Sequence, residues 1–428
     1  MGAYYLIGEH LSHSFSPEIH RSFGRYDYAL QELVPDELGE FLKTKHFSGL
    51  NVTIPYKQTV IPYLDRLDPQ AAAIGAVNTI VNRDGVLWGY NTDFGGMLAS
   101  LNALGCGSLA GKTVLILGTG GTSKTALAVC EALGVGKTVL VSRSGKVNAL
   151  SCDEALRQCP DAAWIINCTP VGMYPDLDGR PVKLAAVNSG HSEQSEESAP
   201  FPQLQAVFDC VYNPLRTRLI LEALARGITA AGGLYMLVKQ AALACELFTG
   251  RPVKEFDVEQ VCKKLRIARE NLVLVGMPGS GKTSVGRLLA EETGRSFVDL
   301  DDEIVRRAGK SIPAVFSQNG ESAFRDMETA VVRAVSAEGG KIIATGGGTI
   351  LREENVCSLK QNGRLIFLNR PLEGLVPTEN RPLGDTPEKL HALYAERYSR
   401  YVSAADFEIP NQGSIEDAVC SIRTLLSL

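Results

Sequence analysis

Leu272-Val-Leu-Val275 runs directly into Gly276-Met-Pro-Gly-Ser-Gly281-Lys282-Thr283, and Ser284-Val-Gly-Arg-Leu-Leu-Ala-Glu-Glu292 follows with helical character. A short apolar run, a glycine-rich turn of the form G-x-x-x-x-G-K-[ST] and a helix, in that order, make a phosphate-binding loop. Glycines let successive backbone N–H groups curve around an anion. The helix that starts there adds positive potential at the same point. Gly279, Ser280, Gly281 and Ser284 are the expected cradle. Lys282 is expected to reach the β- and γ-phosphates of ATP, and the Thr283 hydroxyl to ligate Mg²⁺. The C-terminal third therefore reads as a P-loop α/β domain that transfers a phosphoryl group.

The polar residues downstream gather in short motifs. Phe297-Val-Asp299-Leu-Asp301-Asp302 reads as a strand ending in carboxylates at i and i+2, which share one face of extended chain. One is expected to hold Mg²⁺ and the other to accept a hydrogen bond from the attacking hydroxyl. Asp302 and Glu303 read as the charged start of a helix. Arg325, in Phe324-Arg325-Asp-Met-Glu328, offers a planar fork suited to a carboxylate. Ala344-Thr345-Gly346-Gly347-Gly348 is a strand ending in three glycines, which permits close approach of a ligand to the backbone. Arg381-Pro-Leu383 and Arg397-Tyr-Ser-Arg-Tyr401 complete the set.

A second apolar run ends in glycines far upstream. Thr113-Val-Leu-Ile-Leu117 leads into Gly118-Thr-Gly120-Gly121-Thr122-Ser123, a strand-to-helix turn with serine at the third glycine position of the dinucleotide fingerprint. The next strand ends in Val141-Ser142-Arg143-Ser144. An NAD site usually places a carboxylate there for the ribose 2′-hydroxyl; an arginine flanked by hydroxyls suits a 2′-phosphate. NADP is the expected cofactor, with Arg143 as its main determinant. Strand-like runs at 138–141, 164–166, 206–208 and 365–368 alternate with helical stretches, so parallel sheets built from βαβ units are expected.

The chain has 428 residues, more than one hydrophobic core usually spans. Its net charge of −5 argues against a nucleic-acid partner, whose electrostatic footprint is normally basic. No apolar run reaches the ~18 residues of a membrane helix. The 10 cysteines lack metal-type pairing and read as reduced thiols, so a cytoplasmic location is expected. The acidic, low-complexity stretch Asn188 to Pro200 reads as a surface loop.

The N-terminal motifs supply hydroxyls, amides, one lysine and one carboxylate, an inventory fitted to a polyhydroxylated acid. They are His13-Ser14-Phe-Ser16-Pro17, Gly49-Leu-Asn51-Val-Thr53-Ile-Pro-Tyr-Lys57, Gly75-Ala-Val-Asn78-Thr79 and Gly89-Tyr-Asn91-Thr-Asp93. The second of these reads as a strand turning into a helix. With Asn167-Cys-Thr169-Pro-Val-Gly172, Asp209-Cys-Val-Tyr212-Asn-Pro214 and Gly232-Gly233-Leu-Tyr-Met-Leu-Val-Lys-Gln240, this order of motifs resembles shikimate dehydrogenase over about residues 1–255. The resemblance implies that Ser14, Ser16 and Thr53 hold the substrate carboxylate. Lys57, Asn78, Asp93 and Gln240 would hold the ring oxygens, with Tyr212 nearby and with Lys57 and Asp93 catalytic. Gly118, Gly120, Gly121, Thr122, Ser142, Arg143, Ser144, Thr169 and Gly233 would bind NADP(H).

The C-terminal motifs resemble shikimate kinase over about residues 270–428. That resemblance implies that Asp301, Arg325, Gly347, Gly348 and Arg397 bind shikimate. Asp301 and Lys282 would be catalytic, Thr283 and Asp299 would place Mg²⁺, and Arg381 would come from a lid over ATP. The segment Asn369 to Asn380 is shorter and less basic than the family's, so the lid looks shortened. Together the resemblances imply an enzyme that reduces 3-dehydroshikimate with NADPH and then phosphorylates shikimate with MgATP. A rival reading is an NAD-using quinate/shikimate dehydrogenase joined to a nucleotide-binding regulatory module.

The expected division is a substrate lobe at 1–100 and 230–255, a Rossmann-type NADP domain at 101–229, a linker at 256–269 and the kinase domain at 270–428. Small molecules are the expected partners, and the sequence leaves monomer and homodimer open. A helix near 230–250 is expected to return to the first lobe.

Overall fold

The computed structural model describes residues 3–11, 14–24, 26–105, 107–143, 148–184, 200–375 and 387–426. Ser144, Arg381 and most of the acidic stretch (188–199) lie outside them. The chain divides into two compact units, Met1–Asn213 with Glu222–Lys264, and Pro214–Leu221 with Leu265–Leu428. Residues 214–221, expected within the NADP domain, thus group with the second unit instead. The expected linker is the helix Glu255–Arg269.

The first unit holds two sheets. Its first sheet is formed by β1 (Tyr4–Gly8), β2 (Tyr28–Glu32), β3 (Gly49–Val52), β4 (Arg66–Leu67), β5 (Thr79–Arg83) and β6 (Val86–Tyr90), in the order β2-β1-β3-β5-β6-β4. It is mixed, not parallel: β5 runs antiparallel to both β3 and β6. The cause is local. Asp84 and Gly85 both take positive φ, 52° and 84°. A two-residue loop with that backbone twists with its strands and closes β5–β6 as a hairpin. Lys57 also departs from expectation. Turns, not a helix, follow β3, because Pro55 lacks an N–H and disfavours helical backbone at Ile54.

The second sheet comprises β7 (Thr113–Leu117), β8 (Lys137–Val141), β9 (Trp164–Asn167), β10 (Ala206–Asp209) and β11 (Thr229–Gly232), all parallel, in the order β11-β10-β9-β7-β8. β7 is buried at all five positions, as a strand covered on both faces must be. Successive strands leave β7 on opposite sides, and the crevice beyond its carboxyl end is where ligands bind in such sheets. The helix Leu234–Thr249 returns to the first lobe and lies along Thr92–Ala103 and Ser16–Phe23. It carries Gln240 to the substrate motifs.

The second unit has one parallel sheet: β12 (Asn271–Val275), β13 (Ser296–Asp299), β14 (Lys341–Ala344), β15 (Gly363–Asn369) and β16 (Phe407–Pro410), in the order β13-β14-β12-β15-β16. β12 is again central and wholly buried. Val273 and Val275 face one apolar layer, with Phe324 and Tyr401. Leu272 and Leu274 face another, with Val285 and Ile422. Asp301 is not on the strand: β13 ends at Asp299, which caps the helix Leu300–Ala308 by accepting from the Asp301 N–H at 3.0 Å. Within the described residues no helix is long and apolar enough to cross a membrane.

Leu274→Ala should destabilise the second unit by about 2–5 kcal/mol, the usual cost of an emptied core leucine. Both tryptophans of the sequence, Trp88 and Trp164, lie in the first unit. Urea unfolding should therefore show the circular-dichroism transition displaced and the tryptophan-fluorescence transition in place. Displacement of both would contradict separate cores.

Candidate functional site

In the first unit the backbone of Lys57 is pinned on both sides. The Tyr56 ring is buried and its hydroxyl donates to the Leu33 carbonyl at 2.6 Å. The Lys57 carbonyl accepts from the Val77 N–H at 2.7 Å. Lys57 Nζ then meets Asp93 Oδ2 at 2.6 Å, with only 16% and 9% of the two side chains exposed. Asp93 sits in the first turn of the helix Thr92–Ala103, where its charge suits the helix N-terminus. Asn91 caps that helix, accepting from the Phe94 N–H at 3.1 Å, and its amide donates to the Ala76 carbonyl at 2.9 Å. A desolvated pair held this way keeps the ammonium at one place, which an exposed lysine would not do.

Beside the pair lies a buried amide and hydroxyl network. Asn78 donates to Thr92 Oγ1 at 2.9 Å and to Gln240 Oε1 at 3.3 Å, and its Oδ1 accepts from the Thr92 N–H at 2.7 Å. Ser14 and Ser16 hydroxyls stand 3.2 Å apart at the start of the helix Ser16–Phe23. Between them Phe15 packs on Tyr212, ring centres 5.2 Å apart. Thr53 follows β3, its N–H donating to the Ile7 carbonyl at 3.0 Å. Sequence reasoning missed two members. Asn51 accepts from the Tyr28 hydroxyl at 2.8 Å and donates to Thr79 Oγ1 at 3.1 Å. Thr92 joins Asn78 to Gln240. Both stand inside quoted motifs, and their polarity in otherwise buried stretches was the available signal.

A cavity of about 650 Å³ opens at the carboxyl ends of β7, β8 and β9. It is lined by Gly118, Gly120, Gly121, Thr122, Ser142, Arg143, Thr169 and Lys57. Seven of the expected cofactor residues are thus together, and Lys57 faces the same space. Ser14, Ser16, Thr53, Asn78, Asp93, Tyr212 and Gln240 are not among its described lining, nor is Gly233. Gly118 has φ 110°, and a Cβ on it would lie 3.0 Å from Thr169 Cγ2. Gly233 is needed for packing: its Cβ would lie 2.2 Å from the Cys210 carbonyl oxygen.

In the second unit Gly276 leaves β12 with φ 150°, where a Cβ would lie 2.8 Å from the Leu368 carbonyl oxygen. Gly279 and Gly281 take positive φ, 81° and 87°, and Gly281 caps the helix Lys282–Thr293. Lys282 is buried and folds back over the loop, donating to the Gly276 and Met277 carbonyls at 2.9 Å each. Thr283 Oγ1 donates to Asp299 Oδ2 at 2.7 Å. The Ser280 hydroxyl is buried with no hydrogen-bond partner among the described residues, while Ser284 is exposed.

A second cavity, about 500 Å³, brings Asp301, Arg325, Gly347, Gly348 and Arg397 together. Arg325 Nη1 donates to Glu328 Oε2 at 2.9 Å, and Glu328 is almost wholly buried, its other oxygen accepting from Thr349 Oγ1 at 2.7 Å. Gly348 is glycine for a reason: a Cβ there would lie 2.5 Å from the Arg325 guanidinium. The Tyr401 hydroxyl donates to the Gly347 carbonyl. Arg397 is buried, and its Nε has no hydrogen-bond partner among the described residues; Glu396 Oε1 is 3.8 Å away. A buried guanidinium with an unsatisfied N–H favours an anion beside it.

The family model for the shikimate dehydrogenase substrate-binding domain matches residues 6–80, and that for shikimate kinase matches residues 278–425. The shikimate dehydrogenase (NADP(+)) of Caldanaerobacter subterraneus is 37% identical over 287 residues, covering 61% of this chain and 95% of the relative. The chain belongs to the shikimate dehydrogenase family and carries a shikimate kinase domain behind it. Solved structures agree for the dehydrogenase part. Shikimate dehydrogenase 1 from Peptoclostridium difficile superposes with TM-score 0.52 at 34% identity, covering 62% of this chain and 98% of that one. A chorismate mutase/shikimate 5-dehydrogenase fusion from Clostridium acetobutylicum superposes with TM-score 0.55 at 30% identity, covering 62% and 97%. The protein is thus an oxidoreductase joined to a phosphotransferase, both of the shikimate pathway.

Gly348→Ala should drive the Arg325 fork off its present position. The kinase KM for shikimate should rise about tenfold, the loss of one charge-assisted hydrogen bond, while the KM for ATP stays put. An unchanged shikimate KM would mean that Arg325 does not touch the substrate.

Proposed function

We propose that the dehydrogenase unit reduces 3-dehydroshikimate to shikimate with NADPH and that the kinase unit phosphorylates the 3-hydroxyl of shikimate with MgATP. The observation that carries the first half is that Lys57 and Arg143 line one cavity. A proton donor and a 2′-phosphate receptor then serve the same dinucleotide site.

The residues present fit that cofactor. No Asp or Glu occurs from Lys137 to Cys152, so the segment that follows β8 offers Arg143 and no carboxylate of the kind that grips a ribose 2′-hydroxyl. The helix Gly121–Ala132 begins at the glycine turn, with its first N–H groups unpaired within the helix. NADPH bound there supplies hydride. The Lys57 ammonium stabilises the developing alkoxide and delivers the proton to it. Asp93 holds Lys57 in place and accepts from the neighbouring substrate hydroxyl. Ser14, Ser16 and Thr53 hold the carboxylate, and Asn78, Gln240 and Tyr212 orient the ring.

The kinase residues fit MgATP equally well. Thr283 and Asp299 present two adjacent oxygens, a donor set for a hard divalent cation. The loop Gly279 to Lys282 has the backbone of an anion cradle, and the buried Ser280 hydroxyl lacks a partner among the described residues. MgATP bound there supplies the phosphoryl group. Arg325 and Arg397 clamp the shikimate carboxylate, Gly347 and Gly348 admit the ring close to the backbone, and Asp301 accepts the proton of the attacking hydroxyl.

Lys57→Ala should abolish reduction and leave shikimate-dependent ADP release intact; loss of both would contradict independent sites. Arg143→Ala should raise the KM for NADPH by about 10- to 100-fold, the worth of one or two charge-assisted hydrogen bonds, and leave that for NADH nearly unchanged. Equal losses would remove Arg143 from the 2′-phosphate.

A further inference from the structure

Two thiols meet at the edge of the dinucleotide cavity. β9 and β10 run parallel with Asn167 opposite Asp209, so Cys168 and Cys210 leave the two strand ends side by side. The strand ends are tied together: Asn167 Nδ2 donates to Asp209 Oδ1 at 2.9 Å, and the Cys210 N–H donates to the Asn167 carbonyl at 2.9 Å. The two sulfurs lie 4.0 Å apart. Neighbouring strands are spaced about 4.8 Å, within the Cα separation a disulfide bridges. Side-chain rotation and a small shift of the Cys168 backbone toward β10 must then close the sulfurs from 4.0 Å to about 2 Å. Cys168 lines the cavity with Thr169; Cys210 is not in that lining. Neither thiol has a part in the reaction proposed above.

We infer that Cys168 and Cys210 form a reversible oxidative modification site that shuts the dehydrogenase by bonding to each other. The oxidant is a low-molecular-weight disulfide such as glutathione disulfide. The Cys168 thiolate attacks one of its sulfurs, the reagent's S–S bond breaks, and one thiolate leaves. The Cys210 thiol then loses its proton and attacks Cys168 Sγ, releasing the second thiol. Two protein thiols are oxidised and one small disulfide is reduced to two thiols. The order follows from position: Cys168 faces the cavity, so a reagent reaches it first. The Cys210 thiol is held well above the usual range, first by its hydrogen bond to Cys168, then by burial and by the nearby Cys168, Asp209 and Asp93 charges. It therefore resolves rather than initiates.

Closure acts on the cavity wall. Thr169 follows Cys168 directly, and its N–H and hydroxyl both bond to Asn167 Oδ1, at 3.0 and 2.7 Å. Pulling Cys168 toward β10 moves that wall, and a displacement of about 1 Å at a hydride-transfer site costs on the order of 100-fold in rate.

The proposal's effect on activity rests on the dinucleotide reading of this cavity, so the test reads bond and cofactor separately. The purified full chain is treated with glutathione disulfide, with and without NADP, and mapped by peptide mass spectrometry. The expected result is a Cys168–Cys210 linkage. Reductase activity should fall on the order of 100-fold, return with dithiothreitol, and be protected by NADP, while kinase activity in the same tube persists. Cys210→Ser should stop at a glutathione adduct on Cys168, and Cys168→Ser should keep its own untreated rate. No linkage, or a Cys168→Ser chain inactivated like the parent, overturns the proposal. A linkage that forms equally fast with NADP present upholds the thiol pair and contradicts the cofactor's place in the cavity.

Discussion

Both units rest on one constraint at the carboxyl end of a central parallel strand. β7 and β12 are buried on both faces, so nothing polar on their sides can meet a ligand. Each must end in a turn, and the helix that follows begins with N–H groups that have no partner inside it. Those donors need an acceptor, and a phosphate is the acceptor that the helix dipole favours. Gly118 and Gly276, at φ 110° and 150°, make the sharp exits from the sheets possible. Nearby strand ends then carry the polar residues: Arg143 and Thr169 from the two neighbours of β7, the Gly346–Gly348 turn from β14 next to β12, and Asp299 from β13 one strand further out.

The proposed substrate sides are built differently. In the dehydrogenase unit a buried ion pair, Lys57 with Asp93, is fixed by neutral amides and hydroxyls from several elements. Removing either partner would strand the other charge in a poorly solvated place. In the kinase unit the cations are unequal. Arg325 is already neutralised by Glu328, so it supplies geometry. Arg397 has a buried guanidinium whose Nε lacks a hydrogen-bond partner among the described residues, so on the proposed function it supplies the attraction. A carboxylate between the two would be oriented by one and held by the other.

Much of this was legible in the chain because the turns are local. Gly276 to Thr283 and Gly118 to Thr122 declare their backbone in consecutive residues, and the apolar runs around them show the parallel strands. What escaped depended on details of one or two residues. Asp84-Gly85 is a hairpin signal that reverses β5, yet it was lost among strands read as βαβ units. Pro55 makes a turn of the stretch carrying Lys57. Asp301 looked like a strand residue because its i+2 spacing from Asp299 fits a strand. Asp299 caps the next helix instead and turns the chain two residues earlier. Asn51, Thr92 and Glu328 act through partners distant in sequence or through burial, neither of which a motif shows. The meeting of Cys168 with Cys210 follows from strand order, which spacing along the chain does not contain.

On the proposed function one chain performs two consecutive reactions, the first unit's product being the second unit's substrate. This is tested most directly by giving the purified protein 3-dehydroshikimate, NADPH and MgATP together and following NADPH absorbance and sugar-acid phosphates by mass spectrometry. NADPH oxidation and formation of shikimate 3-phosphate are expected, with no phosphorylated product when NADPH is left out. NADPH oxidation with shikimate accumulating and no shikimate 3-phosphate would contradict it.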